Sequence, residues 1–249
     1  MSLEVRSLSV WYGQIRVLFG VNLRVDDGEI VSLIGPNGAG KTTTLDAIAG
    51  LLPRDGEVCI DGEALAPAVP QAAVARGLVL VPQGRRIFPS MTVEENLLLG
   101  GFSHALNWRK AEAAFEPIFE YFPRLKERRR QAAGKLSGGE QQMLVIGRAL
   151  LAQPSCILID ELSLGLAPKF VELLLEIIVR LNQEIGTTFL LVEQAAAAAL
   201  DISNRAYLLK KGEMVFDGSA TELKDQVDVL RSAYLGARPT ADMATTSQR

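Results

Sequence analysis

The sequence predicts an α/β fold, a parallel-sheet core interrupted by a helical insertion, and three observations predict it. The nearly continuous apolar run at residues 30–34 has the composition of a strand buried on both faces, and it feeds a glycine-rich loop. Strand-like and helix-like segments alternate again between residues 156 and 209. Between these regions, residues 92–152 carry apolar side chains three to four positions apart among Ala, Glu, Arg and Lys, which is a helical period.

In chain order, residues 3–10 alternate apolar and polar types and read as a half-buried strand, and residues 21–25 repeat the alternation. Asp26-Asp27-Gly28 is a turn signal ahead of the buried run. Residues 42–50 read as a helix ended by Gly50, and short strands follow at 57–60 and 77–81. Beyond the helical stretch come a strand at 156–159, a helix at 169–183, a strand at 187–192, an alanine-rich helix at 195–200 and a strand at 206–209. Residues 237–249 hold small and polar types with one proline and read as a flexible tail.

Composition narrows the function classes. Of 249 residues, 48% are hydrophobic and 22% charged, the balance of a globular chain. The 26 basic and 29 acidic residues leave a net charge of -3, which offers no general attraction to nucleic acid, so no nucleic acid is expected as a partner. The cluster Arg124, Lys126, Arg128, Arg129 and Arg130 is interleaved with Glu127 and reads as a solvated helix face. No run reaches the roughly 18 to 20 apolar residues of a membrane helix. The N-terminus lacks a signal-peptide pattern, which predicts a cytoplasmic chain. Cys59 and Cys156 show no CxxC spacing and, with one histidine in the chain, read as core thiols.

Three segments carry chemistry. Gly35-Pro36-Asn37-Gly38-Ala39-Gly40-Lys41-Thr42 fits GxxxxGK[ST] at a strand-to-helix junction. Its backbone N–H groups and the helix N-terminus suit triphosphate oxygens, Lys41 would reach the β- and γ-phosphates, and the Thr42 hydroxyl would take a place on Mg²⁺. Asp160 and Glu161 follow the apolar strand at 156–159, at the end where open α/β sheets bind ligands. Beside a phosphate loop, Asp160 suits Mg²⁺ through water and Glu161 suits polarising an attacking water, whereas two adjacent acids alone read as a solvated turn. Leu136-Ser137-Gly138-Gly139-Glu140-Gln141-Gln142 offers a second set of anion donors, although Ser137 alone reads as an ordinary N-cap.

Taken in order, that loop, Gln83, the Ser137 segment and residues 157–161 resemble the ATP-binding subunit of ABC transporters, over about residues 3–236. The resemblance implies a P-loop NTPase (RecA-like) core with an N-terminal antiparallel β subdomain and an inserted α-helical subdomain. The core and β subdomain would occupy residues 1–90 and 153–236, and the helical signature subdomain 91–152. It implies ATP and Mg²⁺ as ligands. Nucleotide would contact Tyr12, stacking on adenine, together with residues 35–42, Thr43, and Ser137, Gly138 and Gly139 supplied across a dimer. Thr42, Gln83 and Asp160 would serve the metal, and Glu161, Gln83, Lys41 and Gln194 hydrolysis. Gln194 stands where the family usually carries a histidine, and it offers a neutral hydrogen bond only.

Gly84-Arg85-Arg86-Ile87-Phe88-Pro89, Val93-Glu94-Glu95-Asn96-Leu97, Ser163-Leu164-Gly165-Leu166-Ala167-Pro168 and Val192-Glu193-Gln194 are similar to the branched-chain amino acid uptake ATPases, in particular the shorter subunit of a pair. Urea and amide importers share much of this pattern, and soluble ABC-type ATPases are the more distant alternative. The implied partners are a second ATP-binding subunit, identical or not, an integral membrane permease and, indirectly, an external substrate-binding protein. The implied location is the inner face of the cell membrane.

Overall fold

The computed structural model describes residues 1–104, 108–193 and 196–226. Gln194, Ala195 and the tail at 237–249 therefore lie outside the described residues.

Two sheets share the core. The first is antiparallel: β1 (Leu3–Tyr12) lies between β2 (Ile15–Val25) and β4 (Asp55–Ile60), and β5 (Glu63–Ala64) extends the β4 edge. Leu3, Val5, Leu8 and Val10 of β1 are buried, and irregularities between Val5 and Leu8 and between Leu8 and Ser9 adjust the pleat. β2 begins six residues before the alternation expected at 21–25, because exposed Ile15 and Phe19 and the interior Gly20 break the period that would reveal it.

The second sheet has the order β10-β9-β3-β8-β7-β6. Its strands β3 (Ile30–Ile34), β6 (Leu78–Val81), β7 (Cys156–Asp160), β8 (Thr188–Glu193) and β9 (Arg205–Lys210) are parallel, and β10 (Glu213–Ser219) pairs antiparallel at the β9 edge. Every residue of β3, β7 and β8 is buried, which is why those segments read as unbroken apolar runs. Successive side chains divide between two faces. Ile157, Ile159, Phe189 and Leu191 join one cluster with the helices, while Cys156, Leu158, Leu190 and Val192 join another with the first sheet.

Helix α1 (Lys41–Ile48) follows β3 and α2 (Pro70–Ala75) precedes β6. Between β6 and β7 run α3 (Val93–Gly100), α4 (Trp108–Tyr121), α5 (Pro123–Glu127) and α6 (Gly138–Leu151), the predicted helical stretch. Capping boxes start α3 at Thr92 with Glu95 and α6 at Ser137 with Glu140. Helices α7 (Pro168–Ile185) and α8 (Ala196–Ile202) flank β8. β10 and α9 (Ala220–Asp225) go beyond the sequence expectation; β10 is an edge strand with no buried residue, and Ser219 with Glu222 caps α9.

Arg124 and Lys126 pair on the surface with Glu127 and Glu116, as a solvated helix face would, whereas Arg128 and Arg129 lie in the turn beyond α5 and pair with the largely buried Glu140 and Glu94. Cys59 and Cys156 are buried and free. Among the described residues no helix is long and apolar enough to cross a membrane.

Candidate nucleotide site

The loop between β3 and α1 is shaped by close backbone approaches that only glycine permits. A Cβ on Gly35 would stand 2.3 Å from the Leu209 carbonyl oxygen, and Gly40, at φ 106°, would meet Leu18 at 2.7 Å. The loop is also braced from the β9–β10 turn: Gly212 N–H donates to Ala39 O at 2.8 Å, and Gly212 O accepts from Phe19 N–H at 2.9 Å. Both sheets therefore hold the loop.

Lys41 opens α1 and is almost wholly buried. Its ammonium donates to Gly35 O at 2.8 Å and Pro36 O at 3.3 Å, curling over its own loop. Burial pushes its pKa down, while the charges of Glu161, Asp160 and Glu193 act the other way. Glu161 lies just beyond β7 with φ 50°, a left-handed conformation that a non-glycine residue adopts at a cost. One carboxylate oxygen stands 4.0 Å from Lys41 Nζ, and the other accepts from Gln83 Nε2 at 2.6 Å. Asn37, Gly38, Gly40, Lys41, Thr42 and Thr43 line a cleft of about 370 Å³ together with Gln83, Glu161 and Leu164.

Asp160, the last residue of β7, sits deeper. Burial pushes its pKa up, and a hydrogen bond with Thr42 works against that shift. Its Oδ1 is buried with no hydrogen-bond partner among the described residues. An unpartnered carboxylate oxygen beside a threonine hydroxyl suits a hard cation, and no group of three or more His, Cys, Asp or Glu able to hold a metal occurs among the described residues. That donor set fits Mg²⁺, which commonly keeps waters and takes substrate phosphates as ligands.

Tyr12 is half exposed, with its hydroxyl 3.5 Å from Thr43 Oγ1 at the loop helix. Ser137, Gly138 and Gly139 do not line the Lys41 cleft. Ser137 is the N-cap of α6, as the residue alone suggested: its hydroxyl donates to Glu140 at 2.8 Å and accepts from Glu140 N–H at 3.4 Å. Gly139 is packed against Phe170, and Gly138 against the Arg85 guanidinium.

Glu193, assigned no role of its own by the sequence, packs beside the site. It is a buried acid at the end of β8, next to the end of β7 that carries Asp160, and it accepts from Ser163 N–H at 3.1 Å and Ser163 Oγ at 2.6 Å. The available signal was an acid closing an otherwise apolar strand, the same pattern that marked Asp160.

The family model described as ABC transporter matches residues 8–163, more than half of the chain. The chain belongs to the ABC transporter family. It is similar to the high-affinity branched-chain amino acid transport ATP-binding protein BraG of Pseudomonas aeruginosa, with 44% identity over 94% of this chain and 99% of that one. Among solved structures it resembles an ATP-binding cassette of an ABC transporter in the ADP conformation, with a TM-score of 0.83, 28% identity, and coverage of 95% of this chain and all of the other. It also resembles a dimeric bacterial ABC transporter cassette, with a TM-score of 0.77, 28% identity, and coverage of 88% and 98%. As a member of this family the chain is an ATP-binding subunit and an ATPase coupled to transport.

Proposed function

We propose that this ABC subunit hydrolyses Mg²⁺-bound ATP in the Lys41 cleft to drive an importer for branched-chain amino acids. The observation that carries the reading of the site is the convergence of Lys41, Glu161 and Gln83, with the Glu161 carboxylate 4.0 Å from one and 2.6 Å from the other. Backbone N–H groups of the loop at residues 35 and 37–42 and the Lys41 ammonium bind the phosphates, Thr43 adds its place at the start of α1, and Tyr12 offers its ring to the adenine. Thr42, Asp160 and Gln83 would hold Mg²⁺, which when bound supplies positive charge to the phosphate oxygens. Glu161 takes the proton of, or orients, the attacking water, and Lys41 offsets charge developing on the transferred phosphoryl group. Gln194, outside the described residues, follows the strand that carries Glu193 and would donate a neutral hydrogen bond there.

Ser137, Gly138 and Gly139 complete the site from a second ATP-binding subunit, a reading supported by their distance from the Lys41 cleft and by the dimeric relative. Residues 91–152 form the helical unit between the core segments 1–90 and 153–236, and a permease would dock against it, holding the chain on the inner face of the membrane. Phe102 on this unit is 87% exposed, and Val74, Phe88 and Leu99 border an open apolar groove, surfaces that a partner would cover. The branched-chain reading rests on the relative's named substrate. Uptake of labelled leucine and of labelled urea, in cells with and without this gene, tests it: leucine uptake should fall on deletion and return with wild type but not with Glu161→Gln. Loss of urea uptake alone would favour the urea-type importer.

A further inference from the structure

The turn that carries Glu161 is held from the end of β8. Glu161 N–H donates to Val192 O at 2.9 Å, and Glu193, 4% exposed, accepts both the backbone N–H and the hydroxyl of Ser163. Residues 161 and 163 are thus tied to the last two residues of one strand. The tie has something to hold: Glu161 sits at φ 50°, and a left-handed non-glycine residue costs on the order of 1–3 kcal/mol unless its surroundings impose it. No ion pair within 4.0 Å joins Glu193 to a cation among the described residues; its charge acts on Lys41 from a distance, and its hydrogen bonds go to this turn.

We propose that Glu193 is a positioning residue for hydrolysis, which by gripping Ser163 fixes the turn that holds the Glu161 carboxylate beside Lys41 and Gln83. The proposal rests on the reading of Glu161 as the hydrolytic residue. Among the described residues no hydrogen bond or ion pair joins Glu193 to the phosphate loop at 35–42; it acts through Glu161. A displacement of about 1 Å at a reacting group costs on the order of a hundredfold in rate, so loosening this turn acts on turnover and leaves the phosphate loop to bind nucleotide.

The test measures steady-state phosphate release and ATP affinity for Glu193→Leu, Glu193→Gln, Ser163→Ala, the Glu193→Leu/Ser163→Ala double variant and Glu161→Gln. Val171, Leu175, Ala198 and Ala199 surround the Glu193–Ser163 pair, so leucine meets an apolar setting and glutamine keeps both size and a carbonyl acceptor. Glu193→Leu should lower kcat by at least about tenfold with ATP affinity within about threefold of wild type. Glu193→Gln should recover most of that rate, since its oxygen accepts from Ser163 N–H and the Ser163 hydroxyl can rotate to accept from its amide. Ser163→Ala, keeping the backbone bond, should lose about threefold to tenfold, and the double variant should be no slower than Glu193→Leu alone.

A wild-type kcat in Glu193→Leu, a glutamine variant as slow as leucine, or a parallel collapse of kcat and affinity would each overturn the proposal. If Glu193→Leu fails to fold, Ser163→Ala on its half-buried turn decides, and an unchanged rate there is equally fatal. Glu161→Gln separates the two readings. If it turns over normally, the hydrolytic assignment has failed; if it is inactive while Glu193→Leu is unimpaired, only the positioning role has.

Discussion

Gln83 holds the Glu161 carboxylate through a 2.6 Å hydrogen bond that spans the ends of two neighbouring strands, β6 and β7. Gln83 lies just past β6, on the segment leading into the helices at residues 93–151, so the residue assigned to water activation is bonded directly to the connection between core and helical unit. A shift of that connection moves a partner of Glu161. If, as proposed, the same amide serves the metal when nucleotide is bound, it exchanges one partner for the other as the cleft fills.

Gln83→Ala is therefore expected to lower kcat by about ten- to hundredfold, the scale for removing one preorganised polar group from a reacting centre. ATP affinity should change far less, because the phosphate loop is untouched. Gln83→Glu should be more damaging, since two carboxylates would replace the amide–carboxylate pair and one of them would be pushed toward protonation. Phosphate-release rates alongside equilibrium nucleotide binding check this. A Gln83→Glu variant as active as wild type would mean that the 2.6 Å contact is irrelevant to turnover.

Gly35→Ala tests the close approach at the loop. The added methyl would meet the Leu209 carbonyl oxygen at 2.3 Å, and because the obstacle is backbone in β9, relief requires moving the loop away from the sheet. The expected loss is about 1–3 kcal/mol of stability, the range for overpacking or strain at a special backbone position, together with weaker ATP binding. Urea denaturation measures it. A midpoint unchanged from wild type would show that the loop yields freely at this point.

The nucleotide loop was legible because everything it needs is local: an apolar strand, a glycine-rich turn and a helix within a score of residues. Asp160 and Glu161 were legible for the same reason, as acids directly after a buried strand. The pairing of Glu193 with Ser163 was not, because it joins positions 30 apart through the register of two parallel strands, which no spacing reveals. β2 hid its first half for a different reason: exposed Ile15 and Phe19 around Gly20 carry no inward–outward alternation. The fold elements that burial imposes on sequence were readable, and those settled by edge pairing or tertiary contact were not.

Lys41 serves binding and stability together. Its ammonium is buried, donates to its own loop carbonyls and faces the Glu161 carboxylate at 4.0 Å, so the acids offset part of what burial costs its charge. Lys41→Met keeps the stem volume but takes away the cation facing Glu161 and Asp160, and removing one partner of a buried pair destabilises, so the ligand-free variant should melt lower than wild type. Its ATP affinity should fall about ten- to hundredfold, the equivalent of losing a charge-assisted contact of about 1.5–3 kcal/mol. Calorimetric titration with ATP and a thermal melt of the same sample give both numbers. A variant that binds ATP normally would remove Lys41 from the phosphate site.

Asp160 sets binding against stability, and the opposition is visible in pH. Its pKa is raised, chiefly by burial, so the folded chain resists its ionisation more than the unfolded chain does. The sign follows: the contribution of this carboxyl to folding is fully present below the unfolded value of about 3.9 and is lost as pH rises through the raised folded value. Asp160→Asn removes that loss while retaining an oxygen for the Thr42 hydroxyl. Without ligand, the variant should be more stable than wild type at pH 7.5 by about 1–3 kcal/mol, the cost of an unsatisfied buried group, and the two should converge toward pH 4. With Mg²⁺ and ATP the order should reverse, because the charge that destabilises the empty site is the one assigned to the cation, and ligand binding stabilises only the chain that can hold it. Melting both proteins at pH 4.5, 6 and 7.5, with and without Mg²⁺ and ATP, checks each step. An asparagine variant less stable than wild type when ligand-free at pH 7.5 would show that Asp160 serves packing and not a metal site kept ready at the expense of stability.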